Sequence, residues 1–260
     1  MWREMRFLRS VFFYIVLFLS TMILGSSAVI GSLASRAWPN WMARIWGNVN
    51  LWAAGVKVSL AGVENMNSGP YILVSNHQGW FDIFAALGKL PIRFSWLAKE
   101  ELFKIPVLGH AMSRAGYISI DRRDRRKAIA SMNRVAEIVR QGTSVFVFPE
   151  GTRSADGVIK DFKKGVFILA VKSGQPIIPI SISGSYRILP KKSWMIHPGQ
   201  IRFSIGTPVY SSGADAQSRD SLMETVREAI RANLTSEEAG DDRKAGLQTP
   251  GALSQNGGSI

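Results

Sequence analysis

Tyr71-Ile72-Leu73-Val74-Ser75-Asn76-His77-Gln78-Gly79-Trp80-Phe81-Asp82 reads as a strand that turns and runs into a helix. A short apolar run ends at polar residues, and a glycine follows where the chain must turn. His77 and Asp82 lie five residues apart. On a regular helix that spacing puts side chains roughly 140° apart around the axis, from 3.6 residues per turn. The two can meet only if the chain folds back between them, at Gly79. So arranged, they supply an imidazole that takes a proton near neutral pH and a carboxylate that fixes its tautomer and stabilises the cation. A lone His near an Asp is usually a surface or capping pair, so the reading depends on the rest of the chain.

Two further polar clusters follow β-rich runs. Glu150-Gly151-Thr152-Arg153 follows Ser144–Pro149, and Asp121-Arg122 follows Tyr117–Ile120. Ligand sites of open α/β sheets collect beyond the carboxyl ends of the strands, so the three clusters point to one shared site. The apolar patterning predicts strands over 57–61, 71–75, 92–97, 117–120, 144–148, 177–183 and 201–205. It predicts helices over 81–88, 108–114, 124–141, 161–173 and 218–234. Ile129, Met132, Val135, Ile138 and Val139 recur at helical spacing, as do Leu222, Val226, Ile230 and Leu234, and both stripes read as core. The fold class is α/β, a mixed, largely parallel sheet flanked by helices. From Glu238 onward Gly, Ser, Gln and Pro dominate without periodicity.

The chain resembles the glycerolipid acyltransferases of the 1-acylglycerol-3-phosphate O-acyltransferase (lysophosphatidic acid acyltransferase) type. Four blocks carry the likeness, across roughly residues 56–210. Asn76-His77 with Asp82 is similar to the family's catalytic His-x4-Asp motif. Gly116-Tyr117-Ile118-Ser119-Ile120-Asp121-Arg122 is similar to its second block, Phe148-Pro149-Glu150-Gly151-Thr152-Arg153-Ser154 to its third, and Ile178-Pro179-Ile180 to its fourth. A His-x4-Asp alone is a weak signal; with FPEGTRS downstream it is a strong one.

The N-terminal region reads as a membrane anchor. No charged residue occurs from Ser10 to Ser35, and that run exceeds the roughly 20 residues needed to cross a bilayer core as a helix. A signal peptide is the rival reading, because Arg3, Arg6 and Arg9 precede the run. The next segment carries Trp38, Trp41, Trp46 and Trp52, a density that suits a membrane interface; a soluble amphipathic helix is the alternative. The three arginines favour a cytoplasmic N-terminus, so a single crossing would put the catalytic domain outside. The resemblance implies cytosolic acyl donors and a two-helix anchor. A hairpin that enters one leaflet and returns, bending near Pro39, reconciles the two. The expected division is an anchor over 1–56, a catalytic domain over 57–235 and a disordered tail over 236–260. The expected location is a bacterial inner membrane, with the catalytic domain on the cytoplasmic side.

Net charge is +13. A basic surface serves anionic lipid, an acidic carrier protein or nucleic acid. The anchor favours the first two, and no nucleic-acid motif is present. Cysteine is absent, which excludes a disulfide framework, a thiolate nucleophile and a Cys zinc site. The histidines are His77, His110 and His197, with no His-Glu-x-x-His pattern, so no metal is expected.

The resemblance implies transfer of an acyl group from acyl-carrier protein or acyl-CoA to the sn-2 hydroxyl of 1-acylglycerol-3-phosphate, giving phosphatidic acid, with no cofactor beyond the donor. Another lyso-lipid acceptor is the alternative, because the motifs report shared chemistry. A hydrolase and a non-catalytic adaptor are rival classes, and the intact His77/Asp82 pair argues against the adaptor. His77 would act as general base and Asp82 would stabilise the imidazolium. Ser75 as a covalent nucleophile is the minor route, since no Gly-x-Ser-x-Gly elbow occurs. Arg153 and Arg122 are candidates for the acceptor's phosphate, because a guanidinium meets phosphate oxygens with two parallel hydrogen bonds. Gly151 would let backbone approach the ligand, and Thr152 would add a hydroxyl or a cap. Glu150 would orient an arginine or accept from a substrate hydroxyl, and Lys99 resembles a recurring family position. Backbone N–H groups near Gly79 are the candidates for the oxyanion.

Overall fold

The computed structural model describes residues 2–67, 69–120, 125–211, 213 and 215–241. In chain order the elements are α1 (Trp2–Gly31), α2 (Trp38–Ala54), β1 (Val56–Ala61), β2 (Ile72–Ser75), α3 (Phe81–Lys89), β3 (Ser95–Lys99), α4 (Glu100–Phe103), α5 (Leu108–Arg114), β4 (Ile118–Ile120), α6 (Arg125–Arg140), β5 (Val145–Val147), α7 (Gly165–Ser173), β6 (Ile177–Ser183), α8 (Ser185–Ile188), β7 (Gly199–Ile205), α9 (Ala216–Arg231) and α10 (Ser236–Ala239). A short 3₁₀ turn lies at Val63–Asn65. The strands form one seven-stranded sheet in the order β1-β7-β6-β2-β5-β3-β4. All neighbours are parallel except β6 and β7.

Strand alternation divides the core between the two faces. Leu73 faces a cluster with Phe81, Phe84, Phe13 and Leu51. Its neighbours Ile72 and Val74 face one with Val135 and Val139 of α6, Phe167 of α7 and Val226 of α9. All of these side chains are essentially buried. Met132, Val135, Ile138 and Val139, and Leu222, Val226, Ile230 and Leu234, therefore belong to the core as their spacing predicts, while the Ile129 side chain lies outside the described residues.

Some expected boundaries move. The strand expected over 92–97 forms at Ser95–Lys99, because pairing begins where Ser95 aligns with Val145. The helix expected from 161 starts at Gly165, since Lys163 N–H is taken by Pro149 O at 3.0 Å. The helix expected over 218–234 spans Ala216–Arg231. Its start is fixed by Asp215, whose side chain accepts from Ser218 N–H at 2.7 Å, an N-cap. The tail expected from 236 begins with structure: α10 is closed by a capping box between Thr235 and Glu238. The tail beyond residue 241 lies outside the described residues.

α1 and α2 are packed on each other and on the α/β body. Helix α1 is long and apolar enough to cross a membrane, with mean hydropathy 2.1. One of its faces is held along its length. Ser10 Oγ accepts from Ile196 N–H at 2.8 Å, Phe13 packs against Phe81 at 5.4 Å, and Trp46 Nε1 donates to Thr21 Oγ1 at 3.0 Å. The opposite face leaves Leu8, Phe18, Ile23 and Ile30 exposed, as are Trp41 and Trp52 of α2. Where α2 crosses α3, Gly47 lets backbones touch: a Cβ there would sit 2.7 Å from Phe84 O. Asn48 Nδ2 seals the crossing by donating to Gly88 O at 3.0 Å.

Candidate active site

Two adjacent parallel strands deliver the site. β2 pairs with β5, and their carboxyl ends run into the His-x4-Asp loop and the Glu150–Ser154 loop. His77 joins them through its backbone. Its N–H donates to Glu150 Oε1 at 2.9 Å, and its C=O accepts from Ser154 N–H at 2.8 Å. Its ring stacks on Phe148 at 3.9 Å, 9° from parallel. Asn76, fully buried, ties the same loop to β6: its side chain donates to Ile182 O and accepts from Ile182 N–H, both at 2.8 Å.

The chain turns at Gly79 as its spacing requires, and His77 Nδ1 lies 2.7 Å from Asp82 Oδ2. Asp82 is fully buried in the first turn of α3. Its Oδ2 also accepts from Gln78 N–H at 2.7 Å and Gly79 N–H at 2.9 Å, and its Oδ1 accepts from Ser185 Oγ. Four polar contacts thus converge on this one carboxylate. A carboxylate on Nδ1 assigns the proton there, leaving the Nε2 lone pair available. Among the described residues Nε2 has no hydrogen-bond partner. The N–H groups of Gln78 and Gly79 are themselves engaged by Asp82. Ser75 is buried and donates to Asn76 O at 3.0 Å.

The other expected residues fall into place unevenly. Arg153 lies over the Trp80 ring at 5.2 Å and makes no ion pair among the described residues, so its N–H edges are open to an anion. Thr152 and Lys99 are exposed at the same mouth. Gly151 has φ +74°, a left-handed conformation that favours glycine, and the end of the Lys163 side chain lies beside it. Glu150 holds the His77 backbone, not an arginine, and its Oε2 is buried without a partner among the described residues. Burial drives its carboxyl up to about 8; the Asp82 charge adds to this, while the His77 N–H and Lys160 oppose it. Arg122 lies outside the described residues. Among those described, no group of three or more His, Cys, Asp or Glu could hold a metal ion.

A cavity of about 490 Å³ opens beside His77. Its mouth carries Lys99, Thr152, Arg153 and Lys191, and its depth is apolar. Leu24 and Ala28 of α1 and Met42 and Trp46 of α2 form one wall, facing Leu97, Ala111 and Met112. Sequence reading missed this wall and missed Lys191. An apolar run looks the same whether it faces lipid, protein or ligand.

The chain resembles known proteins over most of its length. A family model described as Acyltransferase matches residues 57–183. The chloroplastic 1-acyl-sn-glycerol-3-phosphate acyltransferase BAT2 of Brassica napus is 36% identical over 197 residues, 74% of this chain and 57% of that protein. The 1-acyl-sn-glycerol-3-phosphate acyltransferase of Pseudomonas aeruginosa is 30% identical over 214 residues, 79% of this chain and 82% of that protein. The crystal structure of the 1-acyl-sn-glycerophosphate (LPA) acyltransferase PlsC from Thermotoga maritima superposes with a TM-score of 0.77 at 27% identity. That match covers 89% of this chain and 97% of the other. The chain spans less than two thirds of the length of the Brassica napus, Arabidopsis thaliana and Chlamydomonas reinhardtii relatives.

Proposed function

The chain belongs to the 1-acyl-sn-glycerol-3-phosphate acyltransferase family, and we propose that it acylates the sn-2 hydroxyl of 1-acylglycerol-3-phosphate to give phosphatidic acid. One observation carries the reading: His77 is paired to buried Asp82 at 2.7 Å at the mouth of an apolar cavity beside an uncommitted Arg153. That mouth suits a lipid hydroxyl with a nearby phosphate, and the cavity suits a fatty acyl chain.

His77 Nε2 takes the proton of the acceptor hydroxyl as its oxygen attacks the thioester carbonyl. The new C–O bond forms, the C–S bond breaks, and the imidazolium returns its proton to the leaving thiolate. Asp82 stabilises the cation in between. General-base help of this kind contributes about 10²–10⁴-fold. The thioester is already activated, so no covalent enzyme intermediate is needed. The donor is acyl-carrier protein or acyl-CoA, and no cofactor takes part.

The packing of α1 supports a one-leaflet placement. Its contacts with the α/β body run from Ser10 and Phe13 to Gly25, beside Val107. A helix bound so far along a water-facing domain does not also cross the bilayer alone. Its exposed face and the Trp41 and Trp52 rings enter the cytoplasmic leaflet of a bacterial inner membrane.

The test is an acyl-transfer assay on purified protein, with a panel of lyso-lipid acceptors and both carrier-protein and coenzyme A donors. Preferred acylation of lysophosphatidic acid is expected. Preference for a lyso-lipid lacking a phosphate monoester would overturn the acceptor assignment, and acceptor-independent release of free fatty acid would overturn transfer.

A further inference from the structure

Glu238 is an ionisable residue, nearly buried, that the transfer chemistry leaves unused. It sits in α10, in the region whose composition reads as a tail. Its carboxylate accepts five hydrogen bonds. Oε1 takes Gln78 Nε2 at 3.0 Å and Gly184 N–H at 2.8 Å. Oε2 takes Ser183 Oγ at 2.6 Å, Thr235 N–H at 3.2 Å and Thr235 Oγ1 at 3.1 Å. Its backbone C=O takes Ile159 N–H at 2.9 Å. Burial alone would raise its pKa, but the bonds from Ser183, Gln78, Gly184 and Thr235 outweigh that and hold it below the usual carboxylate value. Every partner is a donor, so the site is built for an ionised carboxylate.

These partners lead directly to the base. Gln78 is the residue after His77, and its own N–H donates to Asp82 Oδ2. Its side-chain amide also donates to Gly157 O at 3.0 Å, beyond the Glu150–Ser154 loop. Gly184 precedes Ser185, whose hydroxyl donates to the other Asp82 oxygen. The His77–Gln78 loop and the Ser183–Ser185 turn, which both bond Asp82, are thus also joined through the Glu238 side chain.

We propose that Glu238 is a positioning residue for the His77–Asp82 pair, and that α10 is a C-terminal latch acting through Gln78 and the Gly184–Ser185 turn. The inference rests on the transfer reaction for its kinetic readout only. Misplacing a catalytic group by about 1 Å costs on the order of a hundredfold, which bounds the effect expected from releasing the latch.

The experiment compares Glu238→Ala, Glu238→Gln and Glu237→Ala in the full chain. Glu238→Gln keeps the volume but turns one acceptor into a donor facing donors. Glu237 lies on the same short helix and, among the described residues, its side chain pairs with exposed Arg187 at 2.6 Å, so it controls for loss of α10 stability. Hydrogen exchange and transfer kinetics are measured on the folded fraction. In both Glu238 variants, exchange in residues 76–82 and 183–187 rises. Their kcat falls about tenfold to a hundredfold, with the KM of both substrates unchanged, while Glu237→Ala behaves as wild type. Unchanged exchange in 76–82 overturns the latch. Unchanged kcat, or equal loss in Glu237→Ala, overturns the positioning role. If Glu238→Ala fails to fold, Glu238→Gln decides by the same criteria. Absence of transfer by the wild type would instead count against the proposed reaction, and exchange would still decide the latch.

Discussion

Glu150 accepts the backbone N–H of His77 at 2.9 Å across 73 residues of chain. The backbone of the proposed base is thus held by a carboxyl group on the neighbouring strand's loop. Burial raises that carboxyl to about 8 from an ordinary value of 4.5. Between those values the folded protein keeps a proton that the unfolded chain has released. The stability this gives is complete below about 4.5 and is lost as pH rises through about 8. Glu150→Gln preserves an acceptor for the His77 N–H and cannot ionise. Thermal unfolding from about pH 5 to pH 8 is expected to show the wild type losing stability relative to Glu150→Gln. Parallel profiles for the two proteins would contradict this.

Arg153 lies over the Trp80 ring at 5.2 Å and makes no ion pair among the described residues. Arg153→Ala is expected to raise the KM for the acceptor with a smaller effect on that for the donor. Losing a charged hydrogen-bond partner costs roughly 1.5–3 kcal/mol, or about tenfold to a hundredfold. Arg153→Lys recovers part of the loss, since a lysine gives charge without the fork. Equal losses for both substrates would mark a structural role.

Leu24 of α1 lines the cavity, which places α1 in the wall of the proposed acyl site. Leu24→Trp narrows it and is expected to shift donor preference toward shorter acyl chains in assays across a chain-length series. An unaltered chain-length profile, in a protein that still turns over, would remove α1 from the acyl-binding wall.

The placement of α1 predicts one sidedness for both ends of the chain. Glu4→Cys near the N-terminus and Ser221→Cys on exposed α9 use a chain that has no cysteine of its own. Both are expected to resist a membrane-impermeant thiol reagent in intact cells and to react once cells are opened. Opposite behaviour of the two sites would establish a full crossing.

What the sequence made legible follows from what kind of partner each residue has. His77 and Asp82 are five residues apart and both polar, so the turn that joins them is visible in the text. The strands and the stripes of α6 and α9 are visible because burial imposes a period. Glu150 was legible as a site residue, but its partner is a backbone N–H, which leaves no trace in residue identity. Ser185 and Glu238 lie 103 and 160 residues from their partners Asp82 and Gln78. Nothing in local spacing links them, and Glu238 stands where composition turns tail-like. The apolar α1 announces membrane affinity, and the same apolarity conceals that one side of it lines a cavity.

The account stands on His77 acting as the base. The most direct test is the transfer rate of purified, folded His77→Ala protein against wild type, with lysophosphatidic acid as acceptor. Its ring nitrogen Nδ1 faces Asp82 at 2.7 Å, and removing the ring leaves the loop's backbone anchors to Glu150 and Ser154 intact. Transfer is expected to fall by about 10²–10⁴-fold, with acceptor binding and membrane association preserved. A folded His77→Ala enzyme that transfers acyl groups at a rate close to wild type would contradict the mechanism.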